Sequence, residues 1–225
     1  MDDFHQSLEL VLADLLSQGR RVTDLSLSAV ESYFENDNET AASVIREDAT
    51  IDHVDVQIER SCIALMQHRP RGEHEQRSIL TIVKINNELE RIADCAVNIA
   101  QATEQRRDTE TADTLQVMAN SVVGMVRDTV ESLRTRDTHL AQRVLAFDDT
   151  VDAFKDELVV RAQSALAEGV VSVPAAMQLL AVVRAVERMA DHCTNICEQV
   201  IYLETGKIVR HLPSGWTAPA LPEDA

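Results

Sequence analysis

Aromatic residues make up only 3% of this 225-residue chain, and Trp occurs once. Gly and Pro are scarce too, at 6 and 5 residues. Few turn formers in a long chain mean a few long elements, which excludes a β-sandwich or barrel with its frequent turns. No stretch approaches the ~18–20 apolar residues of a membrane span. Positive charge is the other shortage: Lys and Arg total 21 against 38 Asp and Glu, for a net charge of -17. That balance argues against DNA, RNA or anionic lipid as a partner, because phosphate is repelled. It suits solubility, divalent cations or a basic protein partner. The start, Met-Asp-Asp-Phe-His, has no apolar signal region, so the expectation is a cytoplasmic protein. In that setting Cys62, Cys95, Cys193 and Cys197 are expected as reduced thiols.

The sequence does contain a repeat. Val30-Glu31-Ser32 recurs as Val130-Glu131-Ser132, and Asp37, Ala41 and Val44 recur as Asp137, Ala141 and Val144. Asp48-x-Thr50-x-Asp52 recurs as Asp148-x-Thr150-x-Asp152. These are roughly nine identities in about 23 positions at a constant shift. Glu90-Arg91-Ile92-Ala93-Asp94 recurs as Glu187-Arg188-Met189-Ala190-Asp191, and Asn98-Ile99 as Asn195-Ile196. The second shift is about three residues shorter, so one loop differs in length between two copies of a unit of about 100 residues.

Each unit has helical periodicity. Predicted helices run over about 4–34, 39–66 and 75–105, then 113–134, 138–168 and 174–205. Asp37 and Asp137 are N-cap candidates, Arg69-Pro70-Arg71-Gly72 is a break, Gly169 a C-cap, and Pro174 suits a first helical turn. Short connections between long helices imply antiparallel neighbours. The expected fold is all-α: two tandem antiparallel three-helix bundles related by internal duplication. The expected domains are residues 1–105 and 106–211, joined near Arg106–Thr111, with 212–225 a Pro-rich mobile tail.

Four carboxylate pairs stand at i,i+4: Asp48/Asp52, Glu90/Asp94, Asp148/Asp152 and Glu187/Asp191. That spacing puts both members on one helix face, where two oxygens one turn apart suit a hard cation. About six such pairs arise by chance at this acidity, and acidic stripes are often merely solvated. The pairs stand out because they recur in both copies. On the third helix Ile82, Ile85, Leu89, Ile92, Ala96 and Ile99 form the core stripe, and Glu90, Asp94 and Asn98 lie about 100–180° from it. The sixth helix repeats this, with Val182, Val186, Met189, Cys193 and Val200 inward and Glu187, Asp191 and Asn195 outward. A site made of these acids therefore lies on an outer face, against the acidic stripe of a neighbouring helix. On the second helix Asp48, Asp52, Asp55 and Glu59 run between two apolar flanks, Ile51/Val54/Ile58 and Ile45/Val56/Ile63, a pattern that suits a groove or partner contact. The plainer reading has the acids solubilise the helices, with Arg91 and Arg188 pairing to acids on adjacent helices and Asn98 and Asn195 as surface or interhelical amides.

Other chemistry is weaker. No Glu-x-x-His occurs, so a di-iron carboxylate core is not indicated. His192-Cys193-x-x-x-Cys197 has zinc-like residue types, but the copy holds Cys95, Ala96 and Ala100 in their places, and both thiols fall on the core stripe. There is no nucleophile–base pair and no Gly-rich phosphate loop.

The paired motifs, Glu90 to Ala100 and Glu187 to Ile196, followed by Val200-Ile201-Tyr202-Leu203-x-Thr205-Gly206-x-Ile208-Val209-Arg210-His211, resemble the PhoU family of phosphate transport regulators. Phe4-His5-x-x-Leu8 is similar as well. The resemblance implies two three-helix bundles with internal pseudo-twofold symmetry and Glu/Asp-x-x-x-Asp metal motifs on their surface. Carried over, the ligands are Asp48, Asp52, Glu90, Asp94, Asp148, Asp152, Glu187 and Asp191, with Fe, Zn, Mn or Mg as candidate ions. It also implies a non-enzymatic negative regulator of phosphate uptake and of the phosphate-starvation response. Such a protein bridges the transporter ATPase PstB and the sensor kinase PhoR at the inner face of the membrane, commonly as a homodimer. The alternative is a metal-binding bundle, for storage or metal-dependent catalysis, without a phosphate-signalling role. The chain departs from the family at Ala93 and Ala190, where Gly is frequent, and at Cys95, where His is frequent.

Overall fold

The structure, a computed structural model, describes residues 3–67, 72–104 and 113–209. The described residues form six helices: α1 (Asp3–Glu35), α2 (Asn38–Gln67), α3 (Glu73–Glu104), α4 (Asp113–Thr135), α5 (Thr138–Ala167) and α6 (Val173–Thr205). The predicted bounds agree to within a residue or two at each described end. The 69–71 break, the 106–111 connection and the 212–225 tail lie outside the described residues.

The same turn joins the first two helices of each half. Asn36 and Arg136 take left-handed backbone angles, with φ of 57° and 56°. The next residue, Asp37 or Asp137, donates its amide to the carbonyl of Ser32 or Ser132 at 2.9 and 3.0 Å. This closes α1 and α4 with the six-to-one bond of a Schellman turn. The Asp side chains then open the following helices. Asp37 Oδ1 accepts from the amides of Glu39 and Thr40, and Asp137 Oδ1 from those of His139 and Leu140. Each cap satisfies helix-end donors that would otherwise lack partners, an effect worth about 1 kcal/mol. Gly169 and Gly206, with φ of 70° and 71°, follow the ends of α5 and α6, and Ser172 caps α6 ahead of Pro174.

Within each half every helix packs on the other two, and the halves meet through α3 against α6 and α1 against α4. Exchanging the halves maps this set of contacts onto itself, as a twofold relation between the copies requires. Helices α2 and α5 stay outside, each touching only its own half. The core is continuous across both copies. Ile82, Ile85, Leu89, Ile92 and Ile99 of α3 are buried, as are Val182, Val186, Met189 and Val200 of α6. Their alternating three- and four-residue steps let helices interlock side by side. Each large aliphatic side chain removed from water contributes about 1.5–3 kcal/mol. Small side chains, including Ala93, Ala96, Ala100 and Ala190, are also fully buried on these two helices. The central pair is thus buried on a wider arc than one amphipathic stripe provides.

Candidate functional site

The acidic stripe of α2 faces that of α3, and the stripe of α5 faces that of α6. This gives each copy one seam and one carboxylate quartet. In the first seam, burial and the nearby Asp52 and Asp94 carboxylates hold Asp48 above its ordinary range. Glu90 is likewise raised by burial and by Asp94, with Asp55 and Asp52 adding to the effect. In the second seam, burial together with Asp191, Asp152, Asp149 and Glu187 pushes Asp148 up to about 6. Asp191 is raised by burial, Glu187 and Asp152. Asp48, Asp52, Glu90 and Asp94 thus share one electrostatic environment, and Asp148, Asp152, Glu187 and Asp191 share its counterpart. Neither quartet is in the bundle core. Asp94 and Asp152 side chains keep 41% and 54% of their surface, and Glu90 and Glu187 keep 25% and 24%.

The two seams are not chemically equal. Lys155, one turn beyond Asp152, places its Nζ 2.5 Å from Asp152 Oδ1 and 3.2 Å from Glu187 Oε1. The ammonium bridges α5 to α6 and supplies positive charge where the four acids converge. Donation to Asp152 and then to Glu187 makes the ammonium hold its proton more tightly than usual, against the opposing effect of burial. The matching residue in the first copy is Asp55, another acid. In the first seam Arg91 approaches Glu90 Oε2 at 3.4 Å and Asp94 Oδ2 at 3.6 Å. Arg91 therefore pairs along its own helix, not across to an adjacent one as the plainer sequence reading has it. Glu90 Oε2 is buried and accepts no hydrogen bond. An acceptor in that state costs roughly 1–3 kcal/mol.

All eight carboxylates are hard oxygen donors, the type that Mg²⁺, Mn²⁺ or iron prefers. Among the described residues, no three His, Cys, Asp or Glu side chains converge at metal-ligand spacing. The first quartet fits a cation in chemistry through its mutually repelling acids and through Glu90 Oε2, which takes no hydrogen bond and has only the Arg91 guanidinium nearby as an ion-pair partner. In the second, Lys155 already supplies a positive charge.

Beside the seams, the halves are joined by a polar contact that the repeat did not reveal. His192 Nδ1 lies 2.7 Å from Glu88 Oε2, and Asn195 Nδ2 donates to the same oxygen at 3.1 Å. Burial raises Glu88, but the hydrogen bonds from His192 and Asn195 outweigh it and leave the carboxyl below its usual range. His192 reaches Glu88 because α3 and α6 pack face to face, a distance that spacing within one copy does not encode. Asn195 is thus an interhelical donor, whereas Asn98 is exposed. The thiols of Cys62, Cys95, Cys193 and Cys197 are free and buried. Burial pushes Cys62 and Cys95 to about 11 and Cys197 to about 12. They pack as small apolar groups.

The PhoU domain model matches residues 15–103 and again residues 115–200, once in each copy. The chain belongs to the PhoU family. Among its PhoU relatives is the Thermotoga maritima phosphate-specific transport system accessory protein PhoU homolog 1. The two are 31% identical over 217 residues, covering 94% of this chain and 93% of that protein. The Serratia marcescens phosphate-specific transport system accessory protein PhoU is 27% identical over 212 residues, covering 93% of this chain and 87% of that protein. The crystal structure of PhoU from Pseudomonas aeruginosa superposes with a TM-score of 0.87 at 26% identity, over 91% of this chain and 100% of its own. The phosphate transport system regulatory protein PhoU from Streptococcus pneumoniae gives 0.86 at 25% identity, over 92% and 99%. The PhoU fold thus spans both copies and both seams.

Proposed function

We propose that this chain is the accessory protein of a phosphate transport system and a negative regulator of phosphate uptake and of the phosphate-starvation response. The observation that carries this reading is the end-to-end PhoU match: both copies fit the family, and relatives covered over nearly their whole length are named as accessory proteins of phosphate transport systems. The protein acts by binding, as an adaptor between the transporter ATPase PstB and the sensor kinase PhoR, from the inner face of the membrane and as a homodimer. No described helix is long and apolar enough to cross a membrane, so attachment runs through partners.

In this reading the quartet Asp48, Asp52, Glu90 and Asp94 takes a hard cation, with Fe, Zn, Mn and Mg as the candidates. Asp148, Asp152, Glu187 and Asp191 form the matching site once Lys155 swings away. A bound cation would relieve repulsion along the seam and stiffen α2 against α3. The acids sit at helix–helix edges instead of in a bundle core, which favours this reading over a storage or catalytic metal protein. Domains at 1–105 and 106–211 are part of the same proposal, and the two family matches, over 15–103 and 115–200, support one unit in each.

The test is direct binding of the purified protein to purified PstB and to the cytoplasmic part of PhoR, with and without added iron, zinc, manganese or magnesium. Saturable binding to either partner supports the adaptor role. Binding to neither, from a folded sample, contradicts it.

A further inference from the structure

An open cleft of about 560 Å³ lies between α2, α3 and α6, with Glu59, Lys84, Asn87, Asn195 and Gln199 among its walls. A step of seven residues turns a helix by only ~20°, so it carries each wall along nearly the same line. That step takes Glu59 to Met66, Lys84 to Arg77, Asn87 to Leu80, Asn195 to Tyr202 and Gln199 to Gly206. Helices α2 and α6 run opposite to α3, so all five steps lead to one end of the first bundle. The contacts at that end agree. Arg77 Nε donates to the Leu203 carbonyl at 3.2 Å. Arg77 Cζ and Lys84 Nζ stand 5.8 and 5.9 Å from the centre of the Tyr202 ring, on either side of Leu80 along α3.

Here the walls change from polar to apolar. Met66 and Leu80 keep 54% and 46% of their surface, and Ile63, one turn before Met66 on the same face of α2, keeps 57%. Single exposed aliphatic residues are ordinary, but several on adjoining helices at one place mark a surface that takes a partner.

The chain leaves α6 at this same end. Gly206 turns it with φ of 71°, so close to α3 that a Cβ there would stand 3.0 Å from Arg77 Nη1. Val209 is buried in the core, and residues 210–225 follow it. They hold Leu212, Leu221 and the chain's one Trp, Trp216, and from Leu212 to Leu221 they carry no charge. A Trp commonly buries 150–250 Å² (roughly) of surface. The seven residues from Val209 to Trp216 span at most about 25 Å, whereas the seven-residue step back from Gly206 along α6 is only about 10 Å. Pro213 and Pro219 restrict the free segment and so lower the entropy lost when it docks.

We propose that residues 212–221 fold back over this end of the cleft and seat Trp216 on Met66 and Leu80, instead of forming the mobile tail that their composition predicts. The apolar surface and the segment's largest apolar side chain then cover each other within one chain. The proposal stands on this surface and this segment and does not depend on the phosphate-signalling reading.

The test uses Trp216 as its own probe in the whole protein. Its emission should lie to the blue of that of the same protein unfolded in guanidinium, and acrylamide should quench it at least threefold less efficiently. Met66→Gln with Leu80→Gln should abolish both differences without lowering the melting temperature, because both side chains are already half exposed. In the reverse direction, Trp216→Ala should move the Met66 methyl resonance through loss of the ring current. Emission equal to that of the unfolded protein, a blue shift that survives the double variant, or an unmoved Met66 methyl would each overturn the proposal. A blue shift lost on dilution would assign the site to the tail of a second copy and overturn it too.

Discussion

Replacing Asp148 by Asn should make the protein more stable at neutral pH, and the gain should disappear in acid. Asp148 sits beside Asp191, Asp152 and Glu187 in a partly buried seam, and its carboxyl titrates at about 6 instead of 3.8. Between those values the folded chain holds a proton that the unfolded chain has released. Stability from this group is therefore lost as pH rises from about 4 to about 6. The displacement corresponds to about 3 kcal/mol if nothing screens it. The seam is open to water, and screening reduces this to about 1 kcal/mol. For a chain of this length that is a gain of about 2–4 °C in melting temperature for Asp148→Asn at pH 7.5. At pH 3, below both values, the gain should vanish. Thermal melts followed by circular dichroism, with chelator present, read both numbers. A variant no more stable at pH 7.5, or one with the same advantage at both pH values, would refute the electrostatic account of the seam.

Removing the caps, Asp37→Ala or Asp137→Ala, should each cost about 1 kcal/mol, seen as matching falls in melting temperature because the two turns share one geometry. Lys155→Ala removes the ammonium from between Asp152 and Glu187, so the second seam should gain affinity for divalent cations, measured by calorimetry with magnesium or zinc. Unchanged affinity would mean that Lys155 does not compete with metal. The four buried thiols should resist a disulfide reagent in the folded protein and react fully in denaturant, read by absorbance.

Most of the fold was legible because its signals are local or repeated. The Ile82–Ile99 stripe, the Asp37 and Asp137 caps, and Gly169 with Pro174 each mark a helix through chemistry within a few residues. The recurrence of Glu90-Arg91 and Glu187-Arg188 marks the duplication. The wheel alone places Glu90, Asp94, Glu187 and Asp191 on outer faces, and the flanked acids of the second helix suit a groove; the structure sets the eight acids in two seams. The cross-half contacts were not legible. The Glu88–His192–Asn195 contact joins residues about 100 positions apart, and neither copy contains it alone. The plainer reading pairs Arg91 with an adjacent helix, but its own-helix acids Glu90 and Asp94 lie one and three positions away and win. The substitution of Asp55 by Lys155 was visible in the aligned copies. Its meaning depended on seeing that position face the quartet.

The most direct measurement of the central claim is phosphate uptake in cells lacking this gene, supplied in turn with the native chain and with a variant of the first quartet, Asp48→Asn with Glu90→Gln. In phosphate-rich medium the account predicts excess uptake and a switched-on starvation reporter without the protein, full repression with the native chain, and impaired repression with the variant at equal protein level. Normal, repressed uptake in cells without the gene would contradict it.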